Sequence, residues 1–335
     1  VIIVTGAAGF IGSAMIWKLN KMGYKNIIAV DNLDTTDKWK NLVPLQFIDL
    51  ITTEDFLTNL ETGKLSPNNV DSIIHLGADT STTNKDCFYI FMDNYYYTKR
   101  LMEWHDIHVS CRMIYASSAA TYGNPPQGQF IDNPNNLQTL RPLTEYAYSK
   151  HLLDLNNYRK RRFDRVVGLK FFNVFGPNEY HKGDMSSKIY RTYQDFLNNE
   201  SINLFYNLSD NTSKLERDFI YVKDVVEIIA YILERPIING LFNVGTGESN
   251  SWFKIVSYVA EAMNIPINDI KVRKVLIPKE LYNRYQYYTK SDNTNLNDIL
   301  PDDYTFTPLK NAIFDYVKNY LIIRGNGEPD VLGNR

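Results

Sequence analysis

The chain is short of cysteine, of long apolar runs and of net charge, and each shortage narrows what it can be. Cys87 and Cys111 are the only cysteines in 335 residues, with no Cys-x-x-Cys or other paired spacing. A disulfide framework is excluded, and free thiols in a reducing compartment are expected. No apolar stretch approaches the roughly 20 residues of a membrane-crossing helix. With a strand pattern starting at Val1, the expectation is a soluble, cytoplasmic chain without a leader. A formal net charge of −2 supplies no field to recruit nucleic acid or an acidic membrane. The most basic run, Arg159-Lys-Arg-Arg162, falls where a helix should end, and is expected to face solvent near the negative end of the helix dipole. His105 and His108 share a helical spacing without a carboxylate or thiol partner, so no metal site is expected.

What the chain does have is an opening glycine turn. Val1-Ile-Ile-Val4 reads as a buried strand, Gly6, Gly9 and Gly12 follow at intervals of three, and an apolar-periodic helix opens at about Phe10. A strand turning through glycines into a helix presents bare backbone N–H groups and the positive end of the dipole, a surface suited to a pyrophosphate. Gly6 serves the tight turn, Gly9 the approach of the phosphates, and Gly12 close packing of the helix. Asp31 closes the next strand, 26–30, where its carboxylate can accept the adenosine ribose hydroxyls. Lys38 follows in a polar stretch able to hold a 2′-phosphate, so the residues themselves leave NAD and NADP both open.

The first half alternates strand and helix patterns, which predicts an α/β fold with a Rossmann-type doubly wound parallel sheet and a smaller C-terminal substrate lobe. Strands are expected at 45–48, 70–76, 112–116 and 166–172, with helices at 53–60 and 88–104. Ligands in such sheets sit beyond the carboxyl ends of the strands, where Asp31, 78–81 and Ser117-Ser118 fall. Further helices are expected at 185–197, 222–233, 252–263 and 310–322, and short strands at 203–205 and 271–276. The division that follows is a dinucleotide-binding domain over 1–176 and a substrate lobe over 177–324. Part of 218–247 is expected to return to the first domain, and the Gly/Asn-rich tail 325–335 to be loosely held.

A second informative region holds Ser118 at a strand end and the stretch Thr144-Glu-Tyr-Ala-Tyr-Ser-Lys150. Tyr146 and Lys150 lie four apart on one helix face, where an ammonium beside a phenol stabilises phenolate. Ser118 can hydrogen-bond both the phenol and a substrate hydroxyl, and Tyr148, pointing elsewhere, reads as packing. In the second half Lys182 follows a Gly-Pro break, Arg217 can clamp a diphosphate bidentately, and Tyr285 lies in a tyrosine-rich loop suited to a sugar or adenine face.

These motifs together resemble the extended short-chain dehydrogenase/reductases. Further runs resemble their ADP-L-glycero-D-manno-heptose 6-epimerase branch: Val30-Asp-Asn-Leu33, Ser81-Thr-Thr83, Met92-Asp-Asn94, Phe172-Asn-Val-Phe-Gly-Pro177, His181-Lys-Gly183, Arg217-Asp-Phe219 and Arg284-Tyr-Gln286. The resemblance implies a homo-oligomeric nucleotide-sugar epimerase serving lipopolysaccharide core synthesis, with NADP as cofactor and NAD as the alternative. It implies that Phe10, Ile11, Asn32, Leu76, Gly77, Ala78, Asn94, Lys150 and Val174 join the cofactor pocket. Tyr146, Lys150, Ser118 and Lys182 become the catalytic set, Lys182 being a second acid/base opposite the tyrosine, and Ser81, Asn173, Asp184, Arg191, Phe205, Arg217 and Tyr285 the substrate set. Several positions depart from the branch: Leu76 and Asp79 replace its Glu and Cys, Asp184 its Ser, Arg191 its His, and Thr53 a lysine that would meet a 2′-phosphate. Asp184 and Arg191 could pair or retune the pocket for a related sugar. Inversion of another nucleotide sugar, for example at C4 of a hexose, is the runner-up. A 4,6-dehydratase is disfavoured by Ala119-Ala120, and an inactive cofactor-binding protein by the joint presence of Ser118, Tyr146 and Lys150.

Overall fold

Short β-branched runs form the strands, and apolar-periodic stretches form the helices between them. The computed structural model describes residues 1–80, 86–125, 129–206, 215–322 and 329–334. The chain opens with β1 (Ile2–Thr5), α1 (Phe10–Lys21), β2 (Ile27–Val30), β3 (Asp49–Ile51), α2 (Thr53–Glu61) and β4 (Ser72–His75). Next come α3 (Cys87–Phe91), α4 (Tyr97–Ile107), β5 (Arg112–Ser118), α5 (Glu145–Arg159) and β6 (Val166–Phe171). The remainder comprises β7 (Asn173–Phe175), α6 (Lys188–Leu197), β8 (Ile202–Tyr206), β9 (Glu216–Tyr221), α7 (Val222–Leu233), β10 (Gly240–Val244) and β11 (Ser249–Ser251). It closes with α8 (Trp252–Ala262), β12 (Val272–Leu276), α9 (Thr294–Asn297) and α10 (Leu309–Tyr316).

Seven parallel strands in the order β3-β2-β1-β4-β5-β6-β10 make the central sheet. Successive strand residues point to opposite faces. Ile2, Val4, Ile74, Ile114 and Val167 therefore enter one apolar cluster with α1 and α7, while Ile3, Ile73, Met113 and Val166 enter a second with α2, α4 and α5. Helices cover both faces, and the strand order reverses between β1 and β4. A crevice opens there beyond the strand ends. β10 brings the chain back to the main sheet beside β6. The remaining strands form a smaller sheet, β11-β9-β7, and the parallel pair β12-β8.

Four expectations change. The strand expected from residue 45 begins four residues later, at Asp49, because Asp37–Leu42 winds as a 3₁₀ helix and pairing with β2 starts only where the Ile48 N–H meets the Ile27 carbonyl. The chain leaves the central sheet at Phe172, and Asn173–Phe175 forms a strand of its own against β9, one that the expected elements did not include. Arg162, expected in solvent, is fully buried, since its guanidinium finds the Asp106 carboxylate and the Asn156 and Asn157 side chains. Within the tail, Asp330 and Leu332 are buried rather than loose.

One carboxylate ties the smaller sheet to the main one. Asp218, fully buried on β9, accepts the N–H groups of Thr246, Gly247 and Ser291, and so fixes the turn after β10 against the segment that follows β12. Asp218→Ala leaves four donors without an acceptor, these three N–H groups and the Thr246 hydroxyl, each worth about 1–3 kcal/mol when buried. The expected result is a loss of about 3 kcal/mol or more in denaturant unfolding with an unchanged slope, against a smaller loss for Asp218→Asn.

Candidate active site

The glycine turn is shaped by contacts that no side chain could share. Gly6 adopts φ +66°, and a Cβ there would stand 2.7 Å from the Gly77 backbone. A Cβ on Gly12 would stand 2.0 Å from the Gly6 carbonyl oxygen, and one on Gly9 3.1 Å from the same atom. Gly12 thus packs α1 against the turn itself. The helix begins at Phe10 with no side-chain cap, which leaves the N–H groups of Phe10 and Ile11 in its first turn for an anion. Gly77 lies across the β1–β4 crevice and donates its N–H to Thr5 Oγ1 at 3.2 Å, with Leu76 and Ala78 flanking it. This bare cradle fits a dinucleotide pyrophosphate.

Asp31 closes β2 as expected, but it also braces the cradle. Its Oδ2 accepts the Ala8 N–H at 2.8 Å, and its Oδ1 takes Lys38 Nζ at 3.1 Å. Burial disfavours the Lys38 ammonium, but Asp31 and Asp34 hold its pKa above the ordinary value. Asn32 is locked to Thr53 by two hydrogen bonds, 2.7 and 3.0 Å, so the threonine has a structural partner in the β2 loop.

Asn94 is fully buried within a π turn, Met92–Tyr96, that joins α3 to α4. Its side chain exchanges two hydrogen bonds with the Asp79 backbone and donates to Ser149 Oγ on α5. Ser149 donates in turn to the Tyr146 carbonyl at 2.7 Å, so Asn94 couples the β4 strand end to the helix that carries Tyr146. Ser81 lies outside the described residues.

Ser118 ends β5 and hydrogen-bonds the Tyr146 hydroxyl. Burial raises the Tyr146 pKa, Ser118 opposes the rise, and the Asp79 charge adds to it. Lys150, one turn along α5, is buried and donates to the Ala116 carbonyl at 3.0 Å. Burial lowers its pKa to about 8, with Asp154 opposing. Asp154 and Lys170 form a buried ion pair at 2.6 Å beneath this site, and Tyr115 and Ser117 also donate to the aspartate. Tyr148 does not pack inside: it is 46% exposed on the outer face of α5, in ring contact with Phe91.

Lys182 lies on the α1 side of the cradle, its Nζ 5.8 Å from the centre of the Phe10 ring. Burial lowers its pKa while the Glu179 charge opposes. Val174 is on β7, packed against the main core, beside partly exposed Asn173.

In the second half of the chain Arg217 is 5% exposed and lies over Trp252 at 5.7 Å and Tyr285 at 5.0 Å. Tyr285 meets Phe205 edge-on at 6.0 Å, so three residues from separated stretches form one aromatic and cationic wall. Asp184 and Arg191 are exposed, and no ion pair links them. A surface cavity of about 850 Å³ lined by Phe130, Ser291, Asp292 and Tyr304 lies apart and includes none of the expected catalytic side chains.

Sequence reasoning missed the struts. Arg284 forms a two-pronged ion pair with Glu145, the residue before Tyr146, and Gln286 Nε2 donates to the Ala119 and Gly123 carbonyls. Asn124 donates to the Tyr285 carbonyl, so the Arg-Tyr-Gln segment is strapped across the loop that follows Ser118. The motif had marked that segment, but its partners are more than 130 residues away in the chain.

Residues 2–245 match the NAD dependent epimerase/dehydratase family. An ADP-L-glycero-D-manno-heptose-6-epimerase of Nitratidesulfovibrio vulgaris is 42% identical over 95% of this chain and 97% of its own length. One of the same name from Fusobacterium nucleatum is 39% identical over 96% and 98%. Among solved structures, the Helicobacter pylori ADP-L-glycero-D-manno-heptose-6-epimerase superposes with a TM-score of 0.77 at 24% identity, covering 95% of each chain. The UDP-N-acetylglucosamine 4-epimerase of Methanobrevibacter ruminantium superposes at 0.78 with 22% identity, over 95% and 96%. Family profile, full-length relatives and strand order agree, and the chain belongs to the NAD dependent epimerase/dehydratase family.

Proposed function

We propose that the protein inverts C6 of ADP-D-glycero-D-manno-heptose to the L-glycero epimer, with bound NADP, or NAD in its place, as a temporary hydride store. The observation that supports this reading is the arrangement of Tyr146, hydrogen-bonded to Ser118 and one helical turn from buried Lys150, together with Lys182 beside Phe10 at the start of α1. A nicotinamide held by the cradle would supply reversible hydride chemistry at the sugar carbon. Tyr146 takes the proton of the sugar hydroxyl, and the Lys150 ammonium stabilises the phenolate. Ser118 orients the phenol and the hydroxyl. Lys182 then handles the proton on the opposite face, because one fixed side chain cannot serve both stereochemical outcomes.

Phe10, Ile11 and the cradle glycines hold the pyrophosphate. Asp31 and Asn32 take the ribose, and Leu76, Gly77, Ala78, Asn94 and Val174 line the remainder of the cofactor groove. Arg217, with Tyr285 and Phe205 around it, clamps the diphosphate of the substrate, and the sugar is assigned to Asn173, Asp184 and Arg191, with Ser81 added from the resemblance alone. Lys38 supports NADP over NAD, since a 2′-phosphate would take over the ammonium now shared by Asp31 and Asp34. We also take the protein to be cytoplasmic and a homo-oligomer. Phe88, Tyr89, Met92, Tyr96 and Tyr148 expose an aromatic face on α3, the π turn and α5, which supports self-association.

Three measurements follow. Tyr146→Phe should lower inversion by about 100-fold or more while cofactor stays bound, and near-normal turnover would sink the reading. Lys38→Ala should weaken NADP about tenfold and leave NAD unchanged by titration; equal effects would argue against a 2′-phosphate contact. The Lys150 ammonium is the active form, so kcat should fall as pH rises through about 8, and Lys150→Arg should move that limb upward. Stability should move the other way. An unfolded lysine holds its proton to about 10.4, so the unfolded state binds more protons across that window and this group's contribution to folding rises with pH.

A further inference from the structure

Residues 329–334 come back to the body of the protein at the segment that leads into Lys182. Leu332 is 1% exposed and joins the main apolar cluster. Its N–H donates to Asn178 Oδ1 at 2.9 Å, the Tyr180 hydroxyl donates to the Asp330 carbonyl at 2.6 Å, and the Asp330 N–H donates to the Tyr320 carbonyl at 2.7 Å. Gly333 lies against Pro44.

Asn178, which receives this contact, is itself fully buried with φ +80°. Its Nδ2 donates to Ser13 Oγ on α1 at 2.9 Å, and its carbonyl accepts Asn41 Nδ2 at 3.0 Å. One asparagine therefore joins the helix of the glycine cradle, the 3₁₀ turn after β2 and the C-terminal segment. On the inner side, Glu179 accepts the N–H of Gly176 and both the N–H and hydroxyl of Ser187, closing the base of the loop. The turn Tyr180–Met185 between these points contains no buried residue. Its one residue packed on the main core is Tyr180, stacked on buried Tyr316, so the position of Lys182 depends on Tyr180 and on what grips the loop from either side.

We propose that the C-terminal segment is a clasp that positions Lys182, with Leu332 and the Asp330 backbone acting through Asn178 and Tyr180. This rests on the reading of Lys182 as the second acid/base. A displacement of about 1 Å at a proton-transfer group can cost about 100-fold in rate, so a contact several residues away is enough to matter.

The test compares full-length Leu332→Asp, Leu332→Met and Tyr180→Phe. Readouts are kcat, KM for the ADP-heptose, and the absorbance of reduced nicotinamide after substrate is added, which reports the half-reaction on the Tyr146 side. Leu332→Asp should lower kcat about tenfold or more, with KM within about twofold and reduced cofactor accumulating. Leu332→Met should restore most of the rate, and Tyr180→Phe should fall between. If Leu332→Asp does not fold, Tyr180→Phe decides by the same split between kcat and KM. Unchanged kcat, or a hydride half-reaction that falls in step with kcat, overturns the clasp. Lys182→Met separates the two ideas: inactive Lys182→Met with normal Leu332→Asp removes the clasp alone, and active Lys182→Met removes both.

Discussion

Two strand ends meet backbone to backbone at Gly6 and Gly77, closer than any side chain allows. That contact sets where β1 and β4 part, and so where the crevice of the sheet begins. Above it the turn of α1 folds so tightly on Gly6 that Gly12 has no room for a methyl group. Asp31 reaches in from β2 to hold the Ala8 N–H, and Asn94 reaches in from the π turn to hold the backbone of Asp79. The crevice is thus walled by backbone and braced by polar side chains, an arrangement suited to a ligand retained through a whole catalytic cycle.

The chemistry beside the crevice depends on charge kept out of water. Lys150 occupies a buried site where its proton is weakly held, and the Asp154–Lys170 pair lies one helical turn deeper. Breaking such a pair by removing one partner strands a charge at high cost. Asp154, held by Lys170, Tyr115 and Ser117, is also the charge that opposes loss of the Lys150 proton, while Arg284 fixes the first residue of the same helix from a distant stretch of the chain. The helix is held at its start by that ion pair and along its length by the sheet.

Local signals revealed most of the frame. The glycine spacing, Asp31 at a strand end and the Tyr146–Lys150 interval depend on periods of two to four residues, and all are where that reading put them. The wall of Arg217, Tyr285 and Phe205 was legible one residue at a time, but its assembly was not, because nothing local says that β8 and β9 meet the 284–287 segment. Arg162 and the tail were misread for the same reason: polar composition points to solvent unless a distant partner exists, and Asp106 and Asn178 are such partners. Asp184 and Arg191 stand exposed and separate, so their departure from the epimerase branch has no explanation in the contacts they make.

The π turn at Met92–Tyr96 has a bearing on chain length. It adds one residue to a helix that otherwise continues straight from α3 into α4. A wide i→i+5 turn takes up that extra residue locally, so α3 and α4 each keep the rotational phase that their own partners need. Thr98 thereby reaches the ring of buried His75, and Leu101 and Met102 reach the core, while Ile90 upstream keeps its own buried place. What the added residue shapes is the turn itself, which carries Asn94 inward to the Asp79 backbone. Residue count in this segment matters for that contact, beside the crevice, rather than for the face of the sheet.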